Sequence, residues 1–365
     1  MKIVFLTDQL YLHGGAERIL SQKINYLISH YQYEVHLITS GQRGKKAIYE
    51  LRPELHWHDL EINYESGKSY FTAVNLVKAA RHFRKLGKTI GQIKPDVVIS
   101  VSYSPDQYFL PYLHKSIPKF REFHFSRYSY TPRGKVALLE RMFERYEALV
   151  VLNADEKPFF PKHNTVIIPN FTTFKPEPII VREKTIIAAG RIAPVKQFDK
   201  LIAIWSRLAN DFPDWQLKIF GDGDPEIREA LERQIAASNI GQNTHVFPAT
   251  GQIHEEMQRA AIYAMTSANE CFPMVLLEAQ ACGLPIISYD CPTGPRHIVS
   301  NGHDGILIAP NDESAFLDNL RSLLSNANLR ESMADQAQIS VSRFSQQAVM
   351  EQWHQLIQTK VENGN

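Results

Sequence analysis

Residues 269–287, NECFPMVLLEAQACGLPII, connect two short apolar runs of the chain. The run 261–266 before this stretch and the run 285–289 at its end each predict a buried strand. Between them, Pro273 suits the first turn of a helix, and 275–282 has the composition of a buried helix. Because neighbouring parallel strands need a crossover of this kind, the unit indicates a parallel α/β sheet.

The same alternation of apolar runs and helical patterns extends in both directions and starts twice. The predicted strands are 2–7, 34–39, 96–101, 119–123 and 148–152 in the first series, and 185–189, 216–220, 245–248, 261–266 and 285–289 in the second. The main predicted helices are 16–30, 71–93, 136–146 and 345–361. A Pro- and Asn-rich segment, 168–178, separates the two series. The length of 365 residues also favours two domains, at about 150 residues each, so we expect two doubly wound domains.

The composition excludes several classes of protein. Hydrophobic residues make up 44% and charged residues 22%, which rules out a disordered chain, a collagen-like repeat and a small disulfide scaffold. The net charge of +1 conceals an asymmetry, because residues 1–165 carry 24 basic and 16 acidic side chains and the remainder carries 16 and 23. Segment 68–135 alone has 13 basic and 3 acidic side chains. The basic half is therefore expected to meet an anionic partner, the alternative being a solvated surface without function.

The cysteine content and the lengths of the apolar runs indicate the cellular compartment of the protein. Cys271, Cys282 and Cys291 match no zinc pattern, and so sparse a set favours a reducing environment. The apolar run at 3–7 is too short for a signal peptide, and no stretch approaches 18 apolar residues. We expect a cytoplasmic protein, soluble or peripheral on a membrane.

Ligands of open α/β sheets bind beyond the carboxyl ends of the strands, so we expect the site in a cleft between the two domains. The first loop, Gly14-Gly15-Ala16-Glu17-Arg18, lets backbone N–H groups approach an anion at a helix N-terminus. It does not follow the GxGxxG pattern, so a dinucleotide dehydrogenase is weakly supported. A plain tight turn is the alternative for this loop.

A second loop, 190–196 (GRIAPVK), follows the predicted strand 185–189. Arg191 provides a planar fork and Lys196 a point charge, and together they suit a diphosphate. Solvated surface charges are the alternative interpretation.

Two glutamates mark the stretch 269–287. Glu270 lies in the loop after strand 261–266, and Glu278 lies within an otherwise apolar helix, where a carboxylate needs a partner. A ribose diol is suitable, because a carboxylate accepts two O–H donors; a buried salt bridge is the alternative. The helix N-terminus at 274–276 is expected to present free N–H groups to phosphate or sugar.

Three further motifs are less specific. The segment 290–297 has the composition of a turn at the rim of the same cleft. His124 follows the predicted strand 119–123 and is one of 14 histidines, most of which must be structural. Asp222-Gly223-Asp224 resembles a metal clamp, but its glycines after a strand favour a turn, and we expect no metal.

Taken together, these motifs resemble those of family 4 (group 1) retaining glycosyltransferases of GT-B architecture, over essentially the whole chain. The matching stretches are GGAER at 14–18, GRIAPVK at 190–196, GDGDPEIREAL at 221–231 and NECFPMVLLEAQACGLPII at 269–287. The resemblance implies two Rossmann-like domains facing a central cleft. It assigns 1–168 with the C-terminal helix 345–365 to the acceptor side, and 169–344 to the nucleotide-sugar donor.

The resemblance also implies roles for individual residues. Arg191 and Lys196 match the pair that holds the diphosphate, Glu270 matches the contact to donor sugar hydroxyls, and His124 matches a histidine near the transferred sugar. Glu278 matches the ribose-binding glutamate. The remaining donor-binding positions are Gly14, Gly15, Gly190, Phe272, Pro273, Met274 and Val275.

The stretch DCPTGPRHIV at 290–299 resembles a bacterial subset that adds galactose-type or N-acetylhexosamine sugars from UDP donors. This implies transfer to a glycan or polyprenyl-diphosphate-linked acceptor in surface polysaccharide biosynthesis, with no cofactor and no metal. Three positions depart from the family pattern: Cys271 and Gln197 stand where glycine is common, and His297 where glutamate is common.

The alternatives are a GT-B-like UDP-sugar epimerase, an inactive sugar-nucleotide-binding subunit and a nucleic-acid binder. The four charged residues of the donor motifs disfavour the inactive subunit, and segment 68–135 lacks a nucleic-acid-binding signature. Its helix instead mixes basic and apolar side chains, which predicts contact with an anionic membrane surface. The basic residues are Lys78, Arg81, Arg84, Lys85 and Lys88, and the apolar ones are Phe71, Val74, Leu76 and Phe83.

Overall fold

The computed structural model describes residues 1–65, 67–128, 130, 132–161, 163–176 and 182–362, and the chain divides into two compact units. Unit 1 comprises Met1–Ile168 and Met350–Asn365, and unit 2 comprises Pro169–Val349. The first division lies within the predicted Pro- and Asn-rich segment, whose residues 177–178 are outside the described residues. The chain returns to unit 1 at Met350 rather than at residue 345, and residues 363–365 of the predicted last segment also lie outside the description.

Within its described residues, unit 1 is built on seven parallel strands in the order β3-β2-β1-β4-β5-β6-β7. Its elements are β1 Lys2–Thr7, α1 Gly15–Tyr31, β2 Glu34–Thr39, β3 His56–Asp59, α2 Ala73–Ile93, β4 Val97–Ser100, α3 Asp106–Phe109, β5 Lys119–Glu122, α4 Lys135–Glu140, β6 Ala148–Val151 and β7 Thr165–Ile167.

Unit 2, over the part that the structure describes, has six parallel strands in the order β10-β9-β8-β11-β12-β13. Its elements are β8 Thr185–Ala189, α5 Phe198–Ser206, β9 Gln216–Phe220, α6 Pro225–Ala237, β10 Thr244–Phe247, α7 Ile253–Arg259, β11 Ile262–Met265, α8 Met274–Ala281, β12 Ile286–Tyr289, β13 Gly305–Ile308, α9 Glu313–Ser325 and α10 Ala327–Ser340, followed by α11 Gln346–Glu362, which enters unit 1.

The central strands were predictable because helices cover both faces of a parallel sheet. β4, β6 and β11 are buried at every position, so their sequences read as continuous apolar runs. β3, β7 and β13 lie at sheet edges and were not predicted. β3 (HWHD) has almost no apolar character, and pairing with β2 in register His36↔His56 makes it a strand.

The helices differ from the predictions mainly at their ends. The predicted helix 136–146 is α-helical only to Glu140 and then tightens into 3₁₀ turns over Arg141–Arg145. α2 begins at Ala73, where the Thr72 side chain accepts a hydrogen bond from the backbone N–H of Asn75 at 3.4 Å. Among the described residues, no helix combines the length and apolar character needed to cross a membrane.

α11 packs on unit 1 although it follows unit 2 in the sequence. Its Trp353 is 1% exposed, and the ring centroid lies 3.8 Å from the Lys23 ammonium on α1. His354 stacks on Tyr31 with ring centroids 4.1 Å apart and contacts the Tyr33 hydroxyl at 2.7 Å. The last helix therefore closes the surface of unit 1 that contains α1.

We expect Trp353→Ala to lower the free energy of unfolding of unit 1 by about 3–5 kcal/mol, because it removes a buried indole and opens a cavity beside a charged group. Urea denaturation of the full chain measures the change. Gln358→Ala, an exposed position on the same helix, is the control and should leave the transition unchanged. Equal transitions for the two variants would contradict the packing described for α11.

Candidate functional site

The carboxyl ends of β8, β11 and β12 bring three loops of unit 2 together. These strands are neighbours in the sheet, so the loops that follow them leave from the same edge. The backbone N–H of Ala268 donates to the carbonyl of Val195 at 2.8 Å, and the Thr266 hydroxyl donates to the carbonyl of Gln197 at 2.8 Å. The N–H of Glu270 donates to the carbonyl of Pro292 at 2.9 Å, which ties in the third loop.

Lys196 and Glu270, from two of these loops, form an ion pair with Nζ 2.6 Å from Oε1. Their side chains are 18% and 14% exposed, so the pair is shielded but reachable. The Lys196 chain lies over Gly190, where a Cβ atom would be 3.2 Å from the lysine Cε. The structure thus joins the residue predicted to hold the diphosphate to the residue predicted to bind the sugar.

Arg191 lies on the same loop as Lys196 and is exposed. Within the described part of the chain its guanidinium makes no hydrogen bond or ion pair. An uncommitted cation on the loop that also provides Lys196 is suited to an anionic ligand.

The loop after β9 packs against the loop that contains Arg191. The N–H of Ile192 donates to the Asp222 carbonyl at 2.8 Å, and a Cβ atom at Gly221 or Gly223 would overlap the carbonyl oxygens of the facing loop. The Asp222 side chain accepts the N–H of Ala249 at 3.0 Å, and Asp224 caps α6. The Asp-Gly-Asp segment is therefore a loop in which Gly223 forms a β-bridge with Ile192, rather than the predicted turn.

α8 begins at Met274, at the predicted helix N-terminus, but the position of Pro273 differs from the prediction. Pro273 is the N-cap residue and Met274 the first helical residue, so Pro273 precedes the first turn. The N–H of Leu276 donates to the Pro273 carbonyl at 3.0 Å. The N–H groups of Met274 and Val275 have no acceptor among the described residues. The free set is two donors, not the three that were expected. Phe272 is buried edge-to-face against Phe344, at a centroid distance of 5.6 Å.

Glu278 lies within α8 and is 4% exposed, as its apolar surroundings predicted. Burial raises the pKa of Tyr263, and the carboxylates of Glu278 and Glu270 raise it further. Both glutamates therefore act electrostatically on one tyrosine, whose hydroxyl donates to the Ala189 carbonyl at 3.1 Å. Burial, followed by Glu270, raises the pKa of Cys291 to about 12, so this thiol stays protonated.

In unit 1, the glycine loop forms the N-terminus of α1. Gly14 is the N-cap residue, and Gly15 is the first helical residue. The Glu17 carboxylate lies against Gly14 and accepts a hydrogen bond from the Gln9 amide at 2.6 Å. A phosphate would reach the backbone N–H groups at the N-terminus of α1 only after the Glu17 side chain turns away. The glycine pattern of the sequence did not reveal this obstruction.

His124 follows β5 at the carboxyl edge of the same sheet. Its side chain is 4% exposed, with Nε2 3.2 Å from Oε1 of Glu122, and its backbone N–H donates to the Tyr103 hydroxyl at 2.9 Å. The ring is therefore positioned by β5 and by the loop after β4.

A pair of carboxyl groups at this edge, the half-buried Asp8 and the buried Asp106, was missed by sequence reasoning. The Ser102 hydroxyl lies 2.8 Å from Asp8 and 2.7 Å from Asp106, yet it has one proton to donate. Burial, then Asp8, raises the pKa of Asp106 to about 7, so Asp106 carries the second proton. Asp106 follows Ser102 by four residues, but Asp8 is 94 residues away from Ser102 in the sequence, so no local pattern marks the pair.

One group of side chains has metal-ligating chemistry. Ligand atoms of Glu34, His36 and His56 all lie within 4.8 Å of one another, at the amino ends of β2 and β3. His36 already contacts Glu34 at 2.9 Å and His58 at 3.1 Å, and the Lys2 ammonium lies 3.0 Å from Glu34. The hydrogen bond between His36 and Glu34 and the stacking of His56 on His36, with ring centroids 4.6 Å apart, account for this group, and we assign it no metal.

Comparison with known proteins bears on this geometry. Residues 170–339 match the family described as glycosyl transferases group 1. An uncharacterized glycosyltransferase of Haemophilus influenzae is 26% identical over 96% of this chain and 98% of its own length. The amylovoran biosynthesis glycosyltransferase AmsD of Erwinia amylovora is 25% identical over 98% of this chain and 99% of its own. The chain is a glycosyltransferase, as its motifs predicted.

A mutant of S. aureus TarM, solved with fondaparinux, alpha-GlcNAc-glycerol and UDP, has the same fold. It aligns with a TM-score of 0.78 over 98% of this chain and 99% of that one, at 15% identity. Two Rossmann-like α/β units of GT-B type are thereby confirmed.

We expect Asp106 to make unfolding pH-dependent. Its pKa is raised from an ordinary 3.8 to about 7 by folding, so its stabilising contribution is present below about pH 4 and is lost as the pH rises through 7. Between pH 5 and 8, the free energy of unfolding should fall relative to that of Asp106→Asn by up to about 1.4 kcal/mol per pH unit. Urea titrations at both pH values measure this. The exposed Glu144→Gln should follow the unmodified protein, and parallel pH profiles for Asp106→Asn would contradict the protonated carboxyl.

Proposed function

We propose that this glycosyltransferase transfers a hexose or N-acetylhexosamine, with galactose-type sugars favoured, from a UDP-sugar to a glycan or polyprenyl-diphosphate-linked acceptor. The anomeric configuration is retained, and the product enters a bacterial surface polysaccharide. The observation that carries the proposal is the Lys196–Glu270 ion pair, together with the exposed and uncommitted Arg191 on the same loop as Lys196.

The ion pair fits a sugar diphosphate because it places two chemistries side by side. In a nucleotide sugar the diphosphate is bonded directly to the anomeric carbon, so phosphate oxygens and sugar hydroxyls are only a few ångströms apart. Lys196 suits the phosphate and Glu270 suits the hydroxyls, and their side chains are 2.6 Å apart. The ligand replaces the direct contact with one contact to each group, so neither charge is left unpaired.

The rest of the donor fits the neighbouring elements. The N–H groups of Met274 and Val275 at the start of α8 provide donors to phosphate or sugar oxygens. The buried carboxylate of Glu278 accepts the two hydroxyls of the ribose. Support for a uridine nucleotide comes from the TarM structure, which contains UDP, and support for polysaccharide synthesis comes from the relative named for amylovoran biosynthesis.

Transfer breaks the bond between the anomeric carbon and the diphosphate oxygen. Negative charge develops on the departing UDP, and Arg191, Lys196 and the α8 N-terminus stabilise it without a metal. The acceptor hydroxyl attacks from the face that UDP leaves, forming the new glycosidic bond. Its proton passes to the departing phosphate, so the reaction needs no separate protein base.

Arg191→Ala should lower kcat/KM for sugar transfer by about 100- to 1,000-fold, because a fixed cation is removed from the charge that develops in the transition state. Its melting temperature should stay unchanged, since Arg191 is exposed and pairs with no described residue. Exposed Arg207→Ala in the same unit is the matched control. Transfer is measured with UDP-sugars and lipid-linked acceptors.

Undiminished transfer by Arg191→Ala would refute the donor assignment. Incubation of the protein with a UDP-sugar alone separates the rival activity: conversion of the sugar without acceptor would show an epimerase.

The acceptor side is assigned to unit 1 through α2. Its inner face buries Leu86 and Ile90, whereas Leu76, Val77 and Phe83 are 52%, 71% and 42% exposed. Arg81, Arg84 and Lys88 are exposed beside them. Lys78 and Lys85 instead donate to backbone carbonyls at 2.7 and 2.6 Å, so three of the five expected basic residues remain for a partner.

This mixture of exposed apolar and basic side chains suits an anionic bilayer surface. We accordingly place the protein in the cytoplasm, peripheral on the inner face of the membrane, where a lipid-linked acceptor is within reach.

The double variant Arg81→Glu/Arg84→Glu should lower the partition coefficient for anionic vesicles by about tenfold or more at low salt, because each basic residue near such a surface contributes about 1 kcal/mol. Flotation with phosphatidylglycerol-containing vesicles measures this, with the exposed Lys46→Glu as control. Equal flotation of the two variants, or no flotation of the unmodified protein, would refute the membrane surface.

A further inference from the structure

Of the two ring nitrogens of His124, one has a hydrogen-bond partner and the other has none among the described residues. Its Nε2 faces Oε1 of Glu122 at 3.2 Å. Its Nδ1 is buried and has no hydrogen-bond partner among the residues that the structure describes. A buried ring nitrogen normally has a partner, so this atom is open to a ligand.

Glu122 is held as a carboxylate by a second buried charge. Lys23 of α1 donates to both of its oxygens, at 2.6 and 2.7 Å, and both side chains are almost completely buried. Burial by itself would raise the pKa of Glu122, but Lys23 is the largest of the causes that lower it, and the pKa is held well below its usual range. With Lys23 on both oxygens, the carboxylate has a fixed orientation toward the histidine.

Trp353 of α11 closes this arrangement from outside. The Lys23 ammonium lies over its ring, 3.8 Å from the centroid, and the indole is 1% exposed. A contact chain thus runs from Trp353 through Lys23 and Glu122 to His124. Water has little access to it.

We propose that Glu122 is a positioning residue for sugar transfer. It fixes His124 with its Nε2–H directed at the carboxylate, so that the lone pair of Nδ1 accepts a hydrogen bond from a hydroxyl of the reacting sugar. The proposal rests on the proposed function, and it takes from the sequence resemblance that His124 lies near the transferred sugar. Lys23 and Trp353 act through Glu122 and do not themselves touch the substrate.

The physical basis is the tautomer of the neutral imidazole. Such a ring carries one N–H, and a carboxylate acceptor at Nε2 keeps the proton there, which leaves Nδ1 as an acceptor. Without that acceptor the ring can take the other tautomer or rotate, and Nδ1 no longer meets the hydroxyl as an acceptor. The ordering is built in before substrate arrives, so no reorganisation is needed during the reaction.

Two double variants separate positioning from folding. Lys23→Met/Glu122→Gln and Lys23→Met/Glu122→Leu both remove the buried charge pair, but only glutamine keeps an oxygen that accepts the Nε2–H. We expect kcat of the leucine variant to be lower by about 10- to 100-fold than that of the glutamine variant, with similar melting temperatures and a smaller change in KM for the donor. Equal kcat values for two folded variants would overturn the proposal.

The same pair of substitutions in a His124→Phe background tests whether Glu122 acts through the histidine. We expect kcat to be the same with glutamine or leucine at 122 in that background, because the ring to be positioned is gone. A difference as large as the one seen with His124 present would show a separate structural effect and refute the assignment.

Long-range ¹H–¹⁵N spectra of the imidazole rings supply a readout that needs no turnover. The resonances of His124, identified by their loss in His124→Phe, should show the Nε2–H tautomer in the unmodified protein and in the glutamine variant, and a mixture in the leucine variant. The Nδ1–H tautomer in the unmodified protein would refute the positioning. Absence of any sugar transfer by the unmodified protein, with the Nε2–H tautomer present, would instead refute the proposed function and with it the catalytic part of this inference.

Discussion

Every strand of both sheets runs parallel to its neighbours, and this constraint organises the rest of the molecule. Parallel neighbours cannot be joined by tight hairpins, so each connection crosses back over a face of the sheet, in most cases as a helix. All carboxyl ends then lie at one edge of each sheet. Loops that are far apart in sequence, such as those containing Lys196 and Glu270, become neighbours because β8 and β11 are adjacent.

At that edge of unit 2, backbone packing sets the positions of the charges. The glycines at 190, 221 and 223 let two loops approach until their backbones hydrogen-bond, a distance at which Cβ atoms would overlap the facing loop or crowd Lys196. The hydrogen-bonded loop fixes the backbone position of Lys196. Its partner Glu270 is hydrogen-bonded to the loop after β12. Preorganised charges of this kind favour a reaction in which charge develops on a leaving group, which is the chemistry proposed for the site.

Unit 1 differs from unit 2 in that it buries charged side chains. Lys23 and Glu122 are both nearly inaccessible to solvent. Their direct hydrogen bonds offset the desolvation cost of burying each charge. Asp8 and Asp106 share the Ser102 hydroxyl, which requires a proton on one carboxyl. Such networks contribute little net stability when compared with apolar packing, but they hold side chains in defined orientations. Their concentration after β1, β4 and β5 coincides with the expected acceptor side of the site.

The sequence by itself determined the alternation of strands and helices, the two series, and the four motifs from which a glycosyltransferase was expected. It could do so because strands covered on both faces are apolar throughout and because loop motifs are local. The edge strand β3 could not be predicted, since pairing with β2 rather than composition makes it a strand. Only the tertiary structure decided that Lys196 meets Glu270, that Glu17 lies against Gly14, and that Trp353 covers Lys23. These contacts join residues brought together by sheet order and loop packing, and no local pattern in a single sequence encodes such a meeting.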